Sequence, residues 1–167
     1  MLNHEIGVDQ PVADPLAQHF FLRGMDVHDL DSVFELEKQN FSDGWSQKHF
    51  TQEVLGNAFS FAYVVEKEAR VIAYAVYWYL KTESHLMKVA VDEKHRRGGI
   101  ASYLLYHLVQ EWRRLRVERA FLEVRHTNRA ALQLYLKFGF KKSGIRKQYY
   151  DNMDEAILMT LSLRRDE

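Results

Sequence analysis

The 167-residue chain contains no cysteine, which excludes disulfides, thiolate zinc sites, iron-sulfur clusters and a cysteine nucleophile. Proline is nearly as scarce, with two residues, and eight glycines leave no room for a collagenous or low-complexity tract. Net charge is missing too: 23 lysines and arginines balance 23 aspartates and glutamates, so no global field draws the chain to nucleic acid or to an anionic membrane. Any polyanion it binds is held locally. No apolar run approaches the roughly 20 residues of a membrane span, and the stretch through Met25, with Asp9, Pro11, Asp14 and Pro15, does not read as a signal peptide. The expected location is the cytoplasm, with no membrane partner. The eight histidines show no HExxH or similarly close ligand spacing, so no metal is expected. Gly139 and Gly144 have Walker spacing, but Ile145 follows where lysine belongs, and GxGxxG is absent.

What is present is apolar material, 47% hydrophobic and 13% aromatic, enough for the core of one domain of this length. Residues 1–18 lack periodicity and are expected to form a loose extension ahead of a single domain over 19–167. Asp26 can cap a helix carrying Leu30, Val33, Phe34 and Glu37 at helical spacing, and Ser46 can cap a second with Phe50, Val54 and Leu55. Branched and aromatic residues predict strands over 59–65, 71–80 and 85–91, the first two joined by the polar hairpin loop from Glu66 to Arg70. Ile100, Tyr103, Leu104, Leu108 and Trp112 step by three and four, the strongest helical pattern in the chain. A strand over 120–125, a helix opening at Asn128, and strands over 140–146 and 155–161 follow. The order is ααβββαβαββ, an α/β (α+β) fold with a mixed, mostly antiparallel sheet flanked by helices. In this scheme the aromatic run 74–79 is a half-buried strand with one face free to line a groove, and Arg113, Arg114 and Arg116 are a solvated helix end.

The segment His95-Arg96-Arg97-Gly98-Gly99-Ile100-Ala101 lies between a strand and the long helix. Unpaired amides at a helix start, the helix dipole and close backbone approach at glycine together suit a phosphate, and the arginines add charge. The same glycines also fit a turn serving geometry alone. Glu123 sits among Phe121, Leu122 and Val124 on an interior strand; burial would raise its pKa and make it a base, whereas turning to solvent or pairing with Arg97 or Arg125 would make it structural. Tyr135 can donate a proton or pack in the core, and Asn128 can cap its helix or contact a ligand.

Arg96-x-x-Gly99-x-Ala101 resembles the Gln/Arg-x-x-Gly-x-Gly/Ala signature of the GNAT acetyltransferases. Leu122-Glu123-Val124-Arg125, Asn128, Leu134-Tyr135, Gly139-Phe140 and Ile145-Arg146-Lys147-Gln148-Tyr149-Tyr150 are similar to the RimI branch of that superfamily. The resemblance covers roughly residues 20–161. It implies the GNAT fold, acetyl-coenzyme A as cosubstrate, and transfer to the N-terminal alanine of a ribosomal protein, the eighteenth of the small subunit, with no direct nucleic-acid contact. It further implies Glu123 as general base and Tyr135 as general acid. Val89, Ala90, Val91, Arg96, Arg97, Gly98, Gly99, Ile100, Ala101 and Asn128 would hold the cosubstrate. Trp45, Ser46, Tyr149 and Tyr150 would face the acceptor, with Asp151, Asp154 and Glu155 available to basic residues of the peptide. One departure falls at the acceptor end, where Phe41-Ser42-Asp43-Gly44-Trp45-Ser46 replaces the family's Phe-Pro-Trp-Ser. A small-molecule amine acceptor and a non-catalytic module binding coenzyme A are the competing readings.

Overall fold

A computed structural model of the chain describes residues 20–149 and 154–164; the expected extension over 1–18 and the candidate Tyr150 lie outside the described residues. Seven strands form one sheet: β1 (Phe21–Gly24), β2 (Ser60–Lys67), β3 (Arg70–Leu80), β4 (Glu83–Val91), β5 (Arg119–Arg125), β6 (Lys141–Arg146) and β7 (Ala156–Ser162). The helices are α1 (Leu30–Asn40), α2 (Gln47–Leu55), α3 (Ile100–Arg114) and α4 (Arg129–Lys137). The strands lie in the order β1-β2-β3-β4-β5-β7-β6. Every neighbouring pair is antiparallel except β4 and β5. That one parallel pair needs a crossover, and α3 supplies it.

The sequence reading holds for the order of elements with one addition. β1 is four residues long and includes Arg23 and Gly24, so it carries no strand signature of its own. Its place at the sheet edge is fixed by pairing with β2 and by Arg23, whose guanidinium bridges Asp29 at 2.7 Å and Glu66 at 2.9 Å. Asp26 caps as expected, in a reciprocal capping box with Asp29 that closes a short 3-10 turn running into α1. Between β2 and β3, Glu68 and Ala69 both take left-handed φ values of 50° and 60°, the primed turn that matches strand twist in a tight hairpin.

The core has two layers. On one face α3 lays Leu104, Leu105, Leu108 and Trp112 against Tyr77, Leu122 and Met159, and Tyr135 of α4 belongs to the same cluster. On the other face α1 and α2 lay Val33 and Phe50 against Val64, Tyr74, Val76 and Ala90. β3 is therefore covered on both sides, and Tyr74, Ala75, Val76 and Tyr77 are fully buried. This corrects the expectation of a half-buried aromatic strand with a free face: a central strand sandwiched by helices has none. Arg113 and Arg114 are exposed in the last turn of α3, as expected.

Candidate active site

The parallel ladder between β4 and β5 begins at Glu83 and Arg119 and stops at Leu86 and Leu122, although β4 runs on to Val91 and β5 to Arg125. Against β3, Val76 faces Lys88 while its neighbour Tyr77 faces Leu86, so Met87 is an extra residue in β4. Such a bulge bends and twists its strand. The two strands diverge from there, leaving a cleft bordered by residues 87–91 on one side and 123–125 on the other. Val89, Ala90 and Val91 thus lie on a strand edge that β5 does not pair. A backbone edge of this kind presents N–H and C=O groups to an extended ligand.

β4 leads through a short 3-10 turn (Glu93–His95) to the start of α3. Gly99, the residue ahead of the helix, takes a left-handed φ of 79°, and Arg97 one of 63°. No side chain caps the first turn of α3, so its outward amides and the positive end of the dipole are offered to an anion. Ile100 is buried in the core and Ala101 half-buried, which leaves their backbone amides as the groups able to meet a ligand. Arg97 and Gly98 are exposed. Arg96 donates to Asn40 Oδ1 at 2.9 Å, and Asn40 Nδ2 donates to the Val91 carbonyl at 3.3 Å, which ties the loop to α1 and to the end of β4.

Along β5, Ala120, Leu122 and Val124 face the α3 layer, and Glu123 turns to the opposite face. Glu123 is not buried: its side chain is 30% accessible and its carboxylate pairs with Arg146 at 3.1 Å. Burial was expected because the strand is interior to the sheet, and the divergence from β4 is what opens this stretch. Its partner is Arg146 of β6, not Arg97 or Arg125. Tyr149 joins the pair by a hydrogen bond to Glu123, and its phenol is pushed up, first by burial and then by that carboxylate. The Arg146 guanidinium lies 4.8 Å from the Tyr149 ring centroid. Tyr135 lies on the α3 side, 8% exposed, edge-on to Phe140 at 5.7 Å. Glu123 and Tyr135 therefore approach the diverging strands from opposite faces. Asn128 caps α4, accepting from the Ala131 N–H at 3.2 Å. Ser46 likewise caps α2, accepting from the His49 N–H at 3.1 Å. Among the described residues no group of three or more histidine, aspartate or glutamate side chains is arranged to hold a metal ion, and no helix is long and apolar enough to cross a membrane.

Residues 30–140, which contain the diverging strands and the glycine loop, match the model of the acetyltransferase (GNAT) family. The chain belongs to the GNAT acetyltransferases. An Escherichia coli K12 protein named as a ribosomal protein bS18-alanine N-acetyltransferase is 30% identical over 145 residues, 85% of this chain and 97% of that protein. An N-alpha-acetyltransferase of Saccharolobus solfataricus is 29% identical over 86% of this chain and 93% of its own length. The crystal structure of the E. coli ribosomal-protein-S18-alanine N-acetyltransferase superimposes with a TM-score of 0.82 at 27% identity, covering 89% of this chain and 96% of that one. Acetyltransferases of this family use acetyl-coenzyme A.

In this acetyltransferase one side chain gathers the segments on the Glu123 face. Arg125 reaches Asp43, between α1 and α2, and Asp154, just before β7, at 2.9 Å each. The Tyr149 N–H donates to the Asp154 carbonyl at 3.1 Å, so the segments holding Trp45 and Tyr149 are both drawn to β5. Asp154 takes part in this bridge through Oδ2. Trp45 is stacked on His49 with centroids 4.2 Å apart and tilted on Phe50 at 5.3 Å. The sequence reading missed Arg146 and Glu37 as members of this region and gave Arg125 only as a candidate partner of Glu123. Glu37 left a signal: it stands at a core position of α1, seven residues after Leu30 and four after Val33, where a carboxylate needs partners.

Proposed function

We propose that this acetyltransferase moves the acetyl group of acetyl-coenzyme A to the N-terminal α-amine of a protein, the alanine that begins ribosomal protein bS18. The observation that carries the reading is the likeness, over nearly the full length of both chains, to the E. coli bS18-alanine N-acetyltransferase. The residues present fit the cosubstrate: an uncapped helix start behind a left-handed glycine accepts a pyrophosphate, and the unpaired edge of β4 accepts an amide-bearing chain. In this reading Gly98, Gly99, Ile100 and Ala101 hold the phosphates by their backbone amides, with Arg96 and Arg97 adding charge. Val89, Ala90 and Val91 line the pantetheine arm, and Asn128 adds a contact from α4.

Acetyl-coenzyme A supplies an acetyl group activated as a thioester. Glu123 takes a proton from the α-ammonium, whose ordinary pKa of about 7.7–8.0 makes this removal easy near neutrality. The freed amine nitrogen bonds to the acetyl carbon as the carbon-sulfur bond breaks; the Tyr135 hydroxyl gives a proton to the departing sulfur, and the second proton that the nitrogen sheds in becoming an amide passes through solvent and restores the tyrosine. The opposed placement of the two side chains, one on each face of the sheet, suits these separate tasks. In this reading Trp45, Ser46 and Tyr149 border the path by which the peptide arrives, and Tyr150 is assigned to the acceptor by the resemblance alone. Incubation with acetyl-coenzyme A and a panel of N-terminal peptides and amines, read by mass spectrometry, tests the assignment. Peptides beginning with alanine are expected to gain one acetyl group at the α-amine, and blocking that amine should abolish the product. Faster acetylation of a lysine side chain or a polyamine than of every peptide would overturn it.

A further inference from the structure

Glu37 is fully buried, and nothing in the reaction above uses it. Oε1 of its carboxylate accepts from the Trp45 N–H at 2.6 Å and from the Lys88 ammonium at 2.8 Å, and Oε2 accepts from the Tyr74 hydroxyl. The three partners lie on the α1–α2 connection, on β4 next to its bulge, and on β3. Lys88 is itself only 14% exposed, with its ammonium 3.9 Å from the Phe41 ring centroid and 5.5 Å from that of Trp45. A buried ion pair is seldom more stable than apolar side chains of the same volume, so its value lies in geometry. Each donor it accepts fixes one direction, and together they hold the Phe41 to Trp45 segment against the sheet. Gly44 completes the fit: a Cβ there would stand 2.8 Å from Glu37 Cγ and 2.9 Å from Oε1. The segment is thus packed onto the carboxylate as closely as a backbone can be.

We propose that Glu37 is a positioning residue for the acceptor: it touches no reacting atom, and its carboxylate sets the place of the Trp45 wall along which the N-terminal peptide enters. The inference rests on the reading of Trp45 as an acceptor-side residue. Its consequence is a split between substrates: Lys88 joins the carboxylate to β4, but the donor edge from Val89 to Val91 is also held by its pairing with β3 and by the Asn40 bond to the Val91 carbonyl, neither of which passes through Gly44 or Trp45.

Three variants, assayed in the full chain with an alanine-initial peptide and acetyl-coenzyme A, test it. Gly44→Ala forces the segment off the carboxylate from an exposed position, and Glu37→Gln sets an amide donor against the Lys88 ammonium or the Tyr74 hydroxyl. Each is expected to raise the peptide KM by about tenfold while moving kcat and the acetyl-coenzyme A KM less than about twofold. If Glu37→Gln fails to fold, Gly44→Ala carries the test alone. Trp45→Ala is the reference. A raised peptide KM in Trp45→Ala with wild-type values in Gly44→Ala would overturn the role of Glu37 and leave the acceptor path standing. An unchanged peptide KM in Trp45→Ala would overturn the acceptor path there, and the positioning role with it. A joint rise of both substrate KM values in Gly44→Ala would reduce Glu37 to general support of the fold and overturn the proposal.

Discussion

Replacing Arg125 by methionine keeps the unbranched stem and deletes the charge that joins three segments. The guanidinium makes two charge-assisted contacts of 2.9 Å, to Asp43 and to Asp154, and all three side chains are only 20–24% accessible. Fully exposed pairs contribute at most about 1 kcal/mol, whereas hydrogen bonds to charged groups in shielded places contribute about 1.5–3 kcal/mol. Taking the lower end for each contact gives a loss of about 3 kcal/mol. For a chain of this length each kcal/mol moves the melting temperature by about 2–4 °C, so Arg125→Met should melt about 6–12 °C below the wild type. Thermal unfolding followed by circular dichroism measures this, and a double-mutant cycle with Asp43→Asn isolates one arm of the bridge. Because the pairs are largely shielded, most of the deficit should persist when salt is raised. A shift below about 2 °C, or a deficit that vanishes in high salt, would refute the shielded-bridge argument and reduce Arg125 to an ordinary surface pair.

Glu123→Gln and Tyr135→Phe should each lower turnover by about 10² to 10⁴ with little change in acetyl-coenzyme A affinity; wild-type turnover in either would remove that residue from the chemistry. Gly99→Val places a branched side chain at a left-handed φ of 79°, at a strain of about 1–3 kcal/mol, and should weaken acetyl-coenzyme A binding in calorimetry, while an unaltered affinity would dissociate the loop from the phosphates. The Tyr74 phenol is pushed above its ordinary range by burial and then by the Glu37 charge. A raised folded-state pKa gives stability that is complete below about pH 10 and is lost as pH climbs beyond it. Denaturant titrations at increasing alkaline pH should therefore show a steeper loss in the wild type than in Tyr74→Phe, and equal slopes would contradict the assignment.

The elements most legible in the sequence are those whose local pattern and tertiary role agree. α3 announces itself because Ile100, Leu104, Leu108 and Trp112 repeat at helical steps and all four are buried against the sheet. Asn128 and Ser46 are readable as caps because capping is a local act. β1 is not legible: two of its four residues are Arg23 and Gly24, and only β2, distant in sequence, makes a strand of them. Glu123 could be assigned to an interior strand but not to an open face, because its exposure depends on the divergence at Met87 and the local sequence around Glu123 carries no sign of that bulge. The pairing of Arg146 with Glu123 likewise requires β6 to lie outside β7, a consequence of strand order alone.

The seam between β4 and β5 bears on how the molecule assembles. It is held by four register pairs, against eight between β3 and β4 and seven between β5 and β7. The connections from β2 to β3 (68–69) and from β3 to β4 (81–82) are far shorter than the crossover over 92–118 that carries the chain through α3, so loop-closure entropy favours forming this meander as a cooperative unit before it meets β5. The cleft is then the last feature to take shape and the first to open in partial unfolding. A ligand that spans it binds only the closed arrangement, and at a hundredfold excess over its dissociation constant it adds about 2.7 kcal/mol to the cost of separating the halves. In its proposed place the cosubstrate would double as a staple for the sheet: amides along the seam should exchange with solvent fastest in the free protein and slow the most when it is bound.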